Sequence, residues 1–270
     1  MPENQINFTS INIMGVLNIT PDSFSDGGLF IKTGEAVEQA QKLINQGADI
    51  LDIGGESTRP GAMEVPVEEE LNRTIPVIQA IRQFTDIPIS IDTSKPEVML
   101  AAARAGANMI NDVWALRRPG ALQAAVDTGL PVCLMHMLGE PGSMQQDPQY
   151  EDVVKQVRLF LQDRLIVAQM AGIPRQKLVI DPGFGFGKNL EHNLQLLRHL
   201  GQFNSLGHPV LVGLSRKSML GLIVNKPVEQ RLYASLSAAV IAAMSGATII
   251  RVHDVAETVD ALAVVRALNE

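Results

Sequence analysis

The 270-residue sequence predicts an α/β fold, a single (β/α)8 or TIM barrel. Three observations predict it. Eight short apolar runs recur along the chain, and each ends on residues that can bind or react. Amphipathic stretches fill the intervals between the runs. The length suits one barrel, for which about 250 residues is typical. In this fold the active site gathers at the C-terminal ends of the strands, so the pattern places a site as well as a fold.

Taken in order, Val16-Leu17 leads into Asn18, Ile50-Leu51-Asp52-Ile53 into Gly54-Gly55-Glu56, and Ile89-Ser90-Ile91 into Asp92. Met109-Ile110 leads into Asn111-Asp112, Val132-Cys133-Leu134-Met135 into His136, and Leu178-Val179-Ile180 into Asp181. Val210-Leu211-Val212 reaches Ser215-Arg216-Lys217, and Ile249-Ile250 reaches Arg251-Val252-His253. Such runs are too short for helices and suit buried strands.

Between them the period becomes helical. Ala36, Val37, Ala40, Leu43 and Ile44 form one face ahead of Gly47, as Val153, Val157, Leu161, Leu165 and Ala168 do ahead of Gly172. Pro96 suits the first turn of a helix running to Ala105. Further helices are expected over 67–84, 119–128, 190–200, 229–245 and 255–268. An internal echo supports the repeat: Gly47-Ala48-Asp49-Ile50-Leu51-Asp52 returns as Gly106-Ala107-Asn108-Met109-Ile110-Asn111 and as Gly246-Ala247-Thr248-Ile249-Ile250-Arg251. Each reads as helix stop, turn, buried strand and polar tip, with glycine in the left-handed position that ends a helix.

The stretch from Leu232 to Ile250 carries no charge and approaches the length of a membrane-spanning helix, about 20 residues. Its alanines and serines, Gly246 and the β-branched Thr248-Ile249-Ile250 read better as a small-residue helix, a glycine cap and a strand. The small residues also suit close packing against another subunit.

Hydrophobic residues make up 46% of the chain and aromatics only 4%, so aliphatic side chains and methionine must fill the core. No composition shift or linker marks a boundary, and one domain over 1–270 is expected. The net charge of −7, with no basic stripe, speaks against nucleic acid and anionic membranes as partners. An anionic substrate would therefore need a local basic cluster. The single cysteine, Cys133, lies inside an apolar run and reads as a small core residue in a reducing compartment, the cytoplasm. Met1–Ser10 has neither the basic nor the apolar region of a leader.

Two loops, 19–33 and 57–66, exceed the roughly 2–6 residues usual for such connections and read as binding loops or lids. The basic cluster is found after the last two strands. Arg251 and His253 sit two apart on a strand end and face one way, and Lys217 follows the seventh strand. Phosphate sites of this fold lie in that region, which points to a phosphate or diphosphate.

Asp92, Asn111 and Asp181, on the third, fourth and sixth strands, offer acceptors and an amide suited to a flat nitrogen heterocycle with an amino-pyrimidine edge. The same residue types also serve as helix caps and loop ties. Asn18 could offer a carbonyl oxygen to Mg2+, which takes oxygen ligands and keeps much of its water. His192 and His199 fall on a helix, and His136 reads equally as structural or functional. Gly183-Phe184-Gly185-Phe186-Gly187-Lys188 fits neither nucleotide-loop spacing; its glycines suit close approach of backbone to a ligand, with the phenylalanines as apolar walls. Nothing resembles a nucleophile triad, so the chemistry rests on positioning and on stabilising a leaving anion.

These segments resemble the dihydropteroate synthase family. The resemblance runs from Ile13 to Val255 and is carried by Met14–Gly28, Asp52–Gly61, Ser90–Thr93, Asn111–Val113, Met135–Met137, Ile180–Lys188, Gly213–Ser218 and Arg251–Val255. It implies a cytoplasmic homodimer that joins dihydropterin-CH2-diphosphate to p-aminobenzoate with Mg2+, releasing pyrophosphate. On the matching positions, Asp92, Asn111, Asp181 and Lys217 would hold the pterin, and Arg251 would lie against it while facing the diphosphate. Asn18, Thr58, Arg59, Arg251 and His253 would serve the diphosphate, with Asn18 on the metal. Thr58, Pro60, Phe186, Ser215 and Phe24 would line the aminobenzoate pocket. Lys217, Arg251, His253 and Arg59 would carry the catalysis. Two other readings share the pterin logic: a non-catalytic pterin-binding paralogue or regulatory subunit, and a methyl transfer from a tetrahydrofolate. The first would dispense with the loops and the basic group, and the second fits the Thr58-Arg59-Pro60 loop poorly.

Overall fold

Every apolar run forms a parallel strand: β1 Asn12–Asn18, β2 Ile50–Gly54, β3 Ile89–Asp92, β4 Met109–Asp112, β5 Val132–Met135, β6 Leu178–Asp181, β7 Leu211–Val212 and β8 Ile249–Val252. The computed structural model describes residues 6–19, 29–57, 64–139, 144 and 147–268. The strands pair in the order β6-β5-β4-β3-β2-β1-β8-β7, and a parallel bridge between Ile180 and Val210 joins β6 to β7 and closes the ring. Helices α1 Leu29–Asn45, α2 Val67–Ile81, α3 Pro96–Ala105, α4 Ala121–Thr128, α5 Val153–Met170, α6 Leu190–Arg198, α7 Ser218–Val224, α8 Leu232–Met244 and α9 Val255–Leu268 lie between and after them.

Alternation along the strands separates the two largest of three buried apolar clusters among the described residues. Outward residues such as Ile13, Leu51, Ile91, Ile110, Leu134, Ile180, Val212 and Ile250 join the large apolar layer beneath the helices. Inward residues Met14, Ile50, Met109, Cys133, Val179, Leu211 and Ile249 form a separate fully buried plug, with Ile6 and Phe8 packed against it. Buried aliphatic layers of this kind make a barrel interior a packed core rather than a pore.

Gly47, Gly106 and Gly246 of the internal echo have φ of 94°, 111° and 95°, the left-handed conformation expected of a helix stop. The uncharged 232–250 stretch resolves into α8, Gly246 and β8, and among the described residues no helix is long and apolar enough to cross a membrane. Two elements depart from expectation. Helix α1 begins at Leu29, inside the loop expected over 19–33. The interval after β7 holds two helices, because the short α7 precedes α8. Its sequence, Ser218-Met219-Leu220-Gly221-Leu222-Ile223-Val224, is too short and too uniformly apolar to show a helical period.

Candidate active site

The site sits on top of the apolar plug, one inward step along β2, β4, β6 and β8. Asp52, Asn111, Asp181 and Arg251 each follow a plug residue by two positions, so strand alternation alone aims them into the barrel mouth. Register brings the tips level: Asn18 pairs with Gly54, Gly54 with Asp92, and Asp92 with Asn111. The neighbouring Asp112 has opposite parity. It stays buried outside the barrel and accepts the backbone N–H groups of Trp114 at 2.8 Å and Leu116 at 2.7 Å. Of the adjacent Asn111-Asp112 pair, only Asn111 thus faces the site.

A charged network spans the mouth. Arg251 donates from Nε to Asp52 at 2.6 Å and from its terminal nitrogen to Asp92 at 3.0 Å, and Asn111 donates to the same Asp52 oxygen at 3.2 Å. The guanidinium is turned toward the two carboxylates. The second oxygens of Asp52 and Asp92, and the Ser90 hydroxyl, are buried without a hydrogen-bond partner. Unsatisfied buried acceptors are costly, so their concentration here marks a place built for incoming donors. Burial, followed by the Asp52 charge, raises the Asp92 carboxyl to about 8 against the opposing pull of Arg251. Asp52 was passed over in the sequence as part of an apolar strand. Its signal was parity, since it lies in phase with Ile50 and Gly54.

Lys217 approaches from the other side. Its ammonium donates to the Phe184 carbonyl and lies 4.6 Å from the centre of the Phe186 ring, a cation–π contact. Burial lowers it to about 8, opposed by Asp181. Asp181 is itself raised by burial, with Lys217 opposing. One Asp181 oxygen accepts the Gly183 N–H at 2.7 Å. Gly183 has φ of 69°, and a Cβ there would lie 1.9 Å from the His136 carbonyl oxygen, so no other residue can make this turn. The glycine-rich segment thus brings one loop against another.

The exposed His253 ring is met by Ser215, whose hydroxyl lies 3.0 Å from Nδ1 and accepts the His253 backbone N–H at 3.2 Å. Between them in sequence, Arg216 holds a left-handed φ of 58°, paired with Asp254 and donating its own N–H to Ser235. The strand-seven loop is thereby tied to the strand-eight loop. Asn18 places its side-chain oxygen above Gly54, where a Cβ would meet it at 3.5 Å and Asp92 Oδ2 at 3.8 Å. Phe24, Thr58, Arg59 and Pro60 lie outside the described residues. Flanking the last three, Glu56 accepts the Val65 N–H at 2.8 Å and pairs with the buried Lys95, which also pairs with Glu70 of α2.

The structure therefore unites Asp92, Asn111 and Arg251 through Asp52, sets Asp181 and Lys217 opposite them, and couples His253 to Ser215. The model of the family described as pterin binding enzyme matches residues 14–253. The dihydropteroate synthase of Escherichia coli K12 is 56% identical over 256 residues, covering 95% of this chain and 91% of that one. The Yersinia pestis dihydropteroate synthase, solved in complex with a sulfonamide drug, superposes with a TM-score of 0.93 at 52% identity, covering 98% of this chain and 96% of that one. The Xanthomonas albilineans dihydropteroate synthase in complex with 7,8-dihydropteroate gives 0.90 at 50% identity, covering 99% and 97%. A full-length match at this identity, on a barrel mouth of this chemistry, places the chain in the dihydropteroate synthase family of pterin-binding enzymes.

Proposed function

We propose that the barrel mouth condenses 7,8-dihydropterin-CH2-diphosphate with p-aminobenzoate to give 7,8-dihydropteroate and pyrophosphate, with the following division of labour. Asp92, Asn111 and Asp181 accept and donate along the polar edge of the pterin, with Lys217 beside it. The observation that carries this reading is the pair of buried, unpartnered carboxylate oxygens on Asp52 and Asp92, whose other oxygens Arg251 holds. Arg251 and the exposed His253 present positive or hydrogen-bonding groups to the departing diphosphate, together with Thr58 and Arg59. Phe186, Ser215, Pro60, Thr58 and Phe24 line the aminobenzoate pocket, where sulfonamides, which mimic that amine, compete.

The donor set fits Mg2+. Asn18 offers one neutral oxygen facing the mouth, and this ion is commonly bound by one or two protein oxygens with substrate phosphates and water completing its shell. Bound there through Asn18, the ion would neutralise charge on the leaving diphosphate. The protein's own contribution is to align the amine with the exocyclic carbon, exclude water, and hold Lys217 and Arg251 where charge develops. C–O cleavage running ahead of amine attack suits a site with fixed cations and no nucleophile.

A second copy of the chain is the proposed partner. Leu222 of α7, Tyr233 and Met244 of α8, and Val264 and Leu268 of α9 are each at least 65% exposed, and an apolar surface of this kind suits a subunit contact. Light scattering should give twice the chain mass. A cytoplasmic setting belongs to the same reading, supported by the buried, unpaired Cys133.

The test is to mix the protein with the pterin diphosphate, p-aminobenzoate and Mg2+, and to follow dihydropteroate by mass together with released pyrophosphate. Product is expected, and it should vanish without Mg2+ and in Lys217→Ala. Pterin binding without product would instead support a non-catalytic subunit.

A further inference from the structure

Lys188 closes the glycine-rich segment and is only 2% exposed, yet among the described residues no carboxylate lies within hydrogen-bonding distance of its ammonium. Its neighbours are three carbonyl oxygens and a ring nitrogen: Gly183 at 2.8 Å, Phe186 at 2.9 Å, His136 O at 3.4 Å and His136 Nδ1 at 2.9 Å. Two of these acceptors belong to the loop after β5 and two to the loop after β6. A buried cation is expensive unless its hydrogens are all used. Here three N–H bonds meet four acceptors, and burial holds the ammonium well below its ordinary titration range, with Asp181 opposing.

The loop so pinned carries the walls of the site. Phe184 offers the carbonyl that Lys217 uses, and Phe186 offers the ring beneath the Lys217 ammonium. Other ties act on the same segment: Asn193 accepts the Gly185 N–H at 2.7 Å, and Tyr150 donates to the Gly187 carbonyl at 2.9 Å. These two hold it from the α6 side and from the approach to α5. Lys188 donates to the His136 backbone and meets its ring beneath the loop, beside the close approach of Gly183 to the His136 carbonyl and the Tyr150 ring 6.2 Å from the imidazole. An ammonium can only donate, so a charged Lys188 requires the His136 Nδ1 to accept and the ring proton to sit on Nε2, while burial, with Lys188 and Arg117 adding, lowers the ring to about 2.

We propose that Lys188 is a positioning residue for the aminobenzoate half of the site, a strut between the strand-five and strand-six loops that fixes Phe186. The inference rests on the reaction assigned above, because it deepens the role of Phe186 in that reaction. Of the pterin residues, Asp92, Asn111 and Lys217 lie on or after strands other than β5 and β6, and Asp181 precedes the pinned loop on β6, so substitution should cost aminobenzoate binding more than pterin binding.

Replacing Lys188 by Met removes the charge and the donors while keeping most of the volume. The KM for aminobenzoate should rise at least about tenfold, with kcat and pterin affinity within about threefold of the parent. A folded variant with unchanged KM, or one in which pterin affinity falls in step with KM, would overturn the strut. If the variant does not fold, nitrogen NMR of His136 in the parent protein decides. The strut requires the Nε2–H tautomer at neutral pH and no protonation down to about pH 5. A ring that titrates near its ordinary 6.5 overturns it. A parent protein that makes no dihydropteroate would remove the reaction assigned above, whereas the His136 measurement would still judge the contact itself.

Discussion

The two ends of the barrel interior are built from the same strands on the same parity, yet they have opposite chemistry. At the bottom, Met14, Ile50, Met109, Cys133, Val179, Leu211 and Ile249 interlock with no polar side chain among them. One step up, the same strands present Asp52, Asn111, Asp181 and Arg251, with Asp92 alongside and two carboxylate oxygens unpartnered. The lower layer has its apolar surface fully removed from water, which stabilises the barrel and needs nothing further. The upper layer holds buried charge that only a ligand can complete. In this chain, stability and recognition are thus stacked along one axis, separated by about two residues of strand.

The strongest way to break that separation is to hollow the lower layer. Met109→Ala should destabilise the protein by about 3 kcal/mol, within the 2–5 kcal/mol usual for buried methionine truncation. Pterin affinity, measured by calorimetry well below the melting temperature, should stay within about threefold. A loss above tenfold would mean that the plug sets the geometry of the mouth and that the two layers are one unit.

Next in size is Asp181→Asn. The Gly183 N–H at 2.7 Å keeps an oxygen to bond to, so the loop anchor survives. The other oxygen becomes an N–H2 donor and the charge opposite Lys217 is lost. Pterin affinity should fall about 100-fold, close to 2.7 kcal/mol, as expected when a buried charged acceptor is removed. The melting temperature should hold or rise, because a buried carboxylate raised by burial is no longer present. Unchanged affinity would remove Asp181 from the site.

How much of this was legible in the sequence follows the same division. The eight strands could be read because each is a short apolar run with a polar tip, and the tips named Asn18, Asp92, Asn111, Asp181 and Arg251 directly. Asp52 was hidden inside its run, where hydropathy marks it as an interruption and only parity with Ile50 aims it inward. The pairing of the Arg251 guanidinium with that hidden carboxylate could not be read either. Lys188 stood in plain view at the end of a glycine-rich segment. Its burial comes from the contact of Gly183 with the His136 carbonyl, two loops that are 47 residues apart in sequence and meet only in the fold. Helix α7 escaped because seven nearly uniform apolar residues carry no period.

A smaller effect follows from pH. The Asp92 carboxyl is raised to about 8 and the Lys217 ammonium is lowered to about 8, both chiefly by burial. If pterin binding needs the first ionised and the second protonated, kcat/KM for the pterin diphosphate should be bell-shaped with its maximum near pH 8. Each limb should fall about tenfold per pH unit, or 1.4 kcal/mol. For stability the sign is opposite on the acid side. A carboxyl raised in the folded state binds its proton more tightly there than in the unfolded chain. It therefore favours folding as pH drops from about 8 toward 4, and destabilises as pH rises through that window. Asp92→Asn should remove both the acid limb of the rate profile and this slope in the melting temperature. A flat profile between pH 6 and 9 would show that the mouth is held in one protonation state.

The finest distinction concerns Ser215, which the family resemblance assigns to the aminobenzoate wall and the structure couples to His253. The hydroxyl accepts the His253 backbone N–H at 3.2 Å and lies 3.0 Å from Nδ1. Each neutral hydrogen bond of this kind contributes about 1 kcal/mol. If Ser215 chiefly orients the imidazole toward the leaving diphosphate, Ser215→Ala should lower kcat about fivefold and leave the aminobenzoate KM within about twofold. If it chiefly lines the pocket, the KM should rise and kcat should hold. The first outcome would make the loops after β7 and β8 a single diphosphate device, tied together again by the Arg216–Asp254 pair. The second would give Ser215 to the amine, and the orientation of His253 would then rest on the backbone of β8.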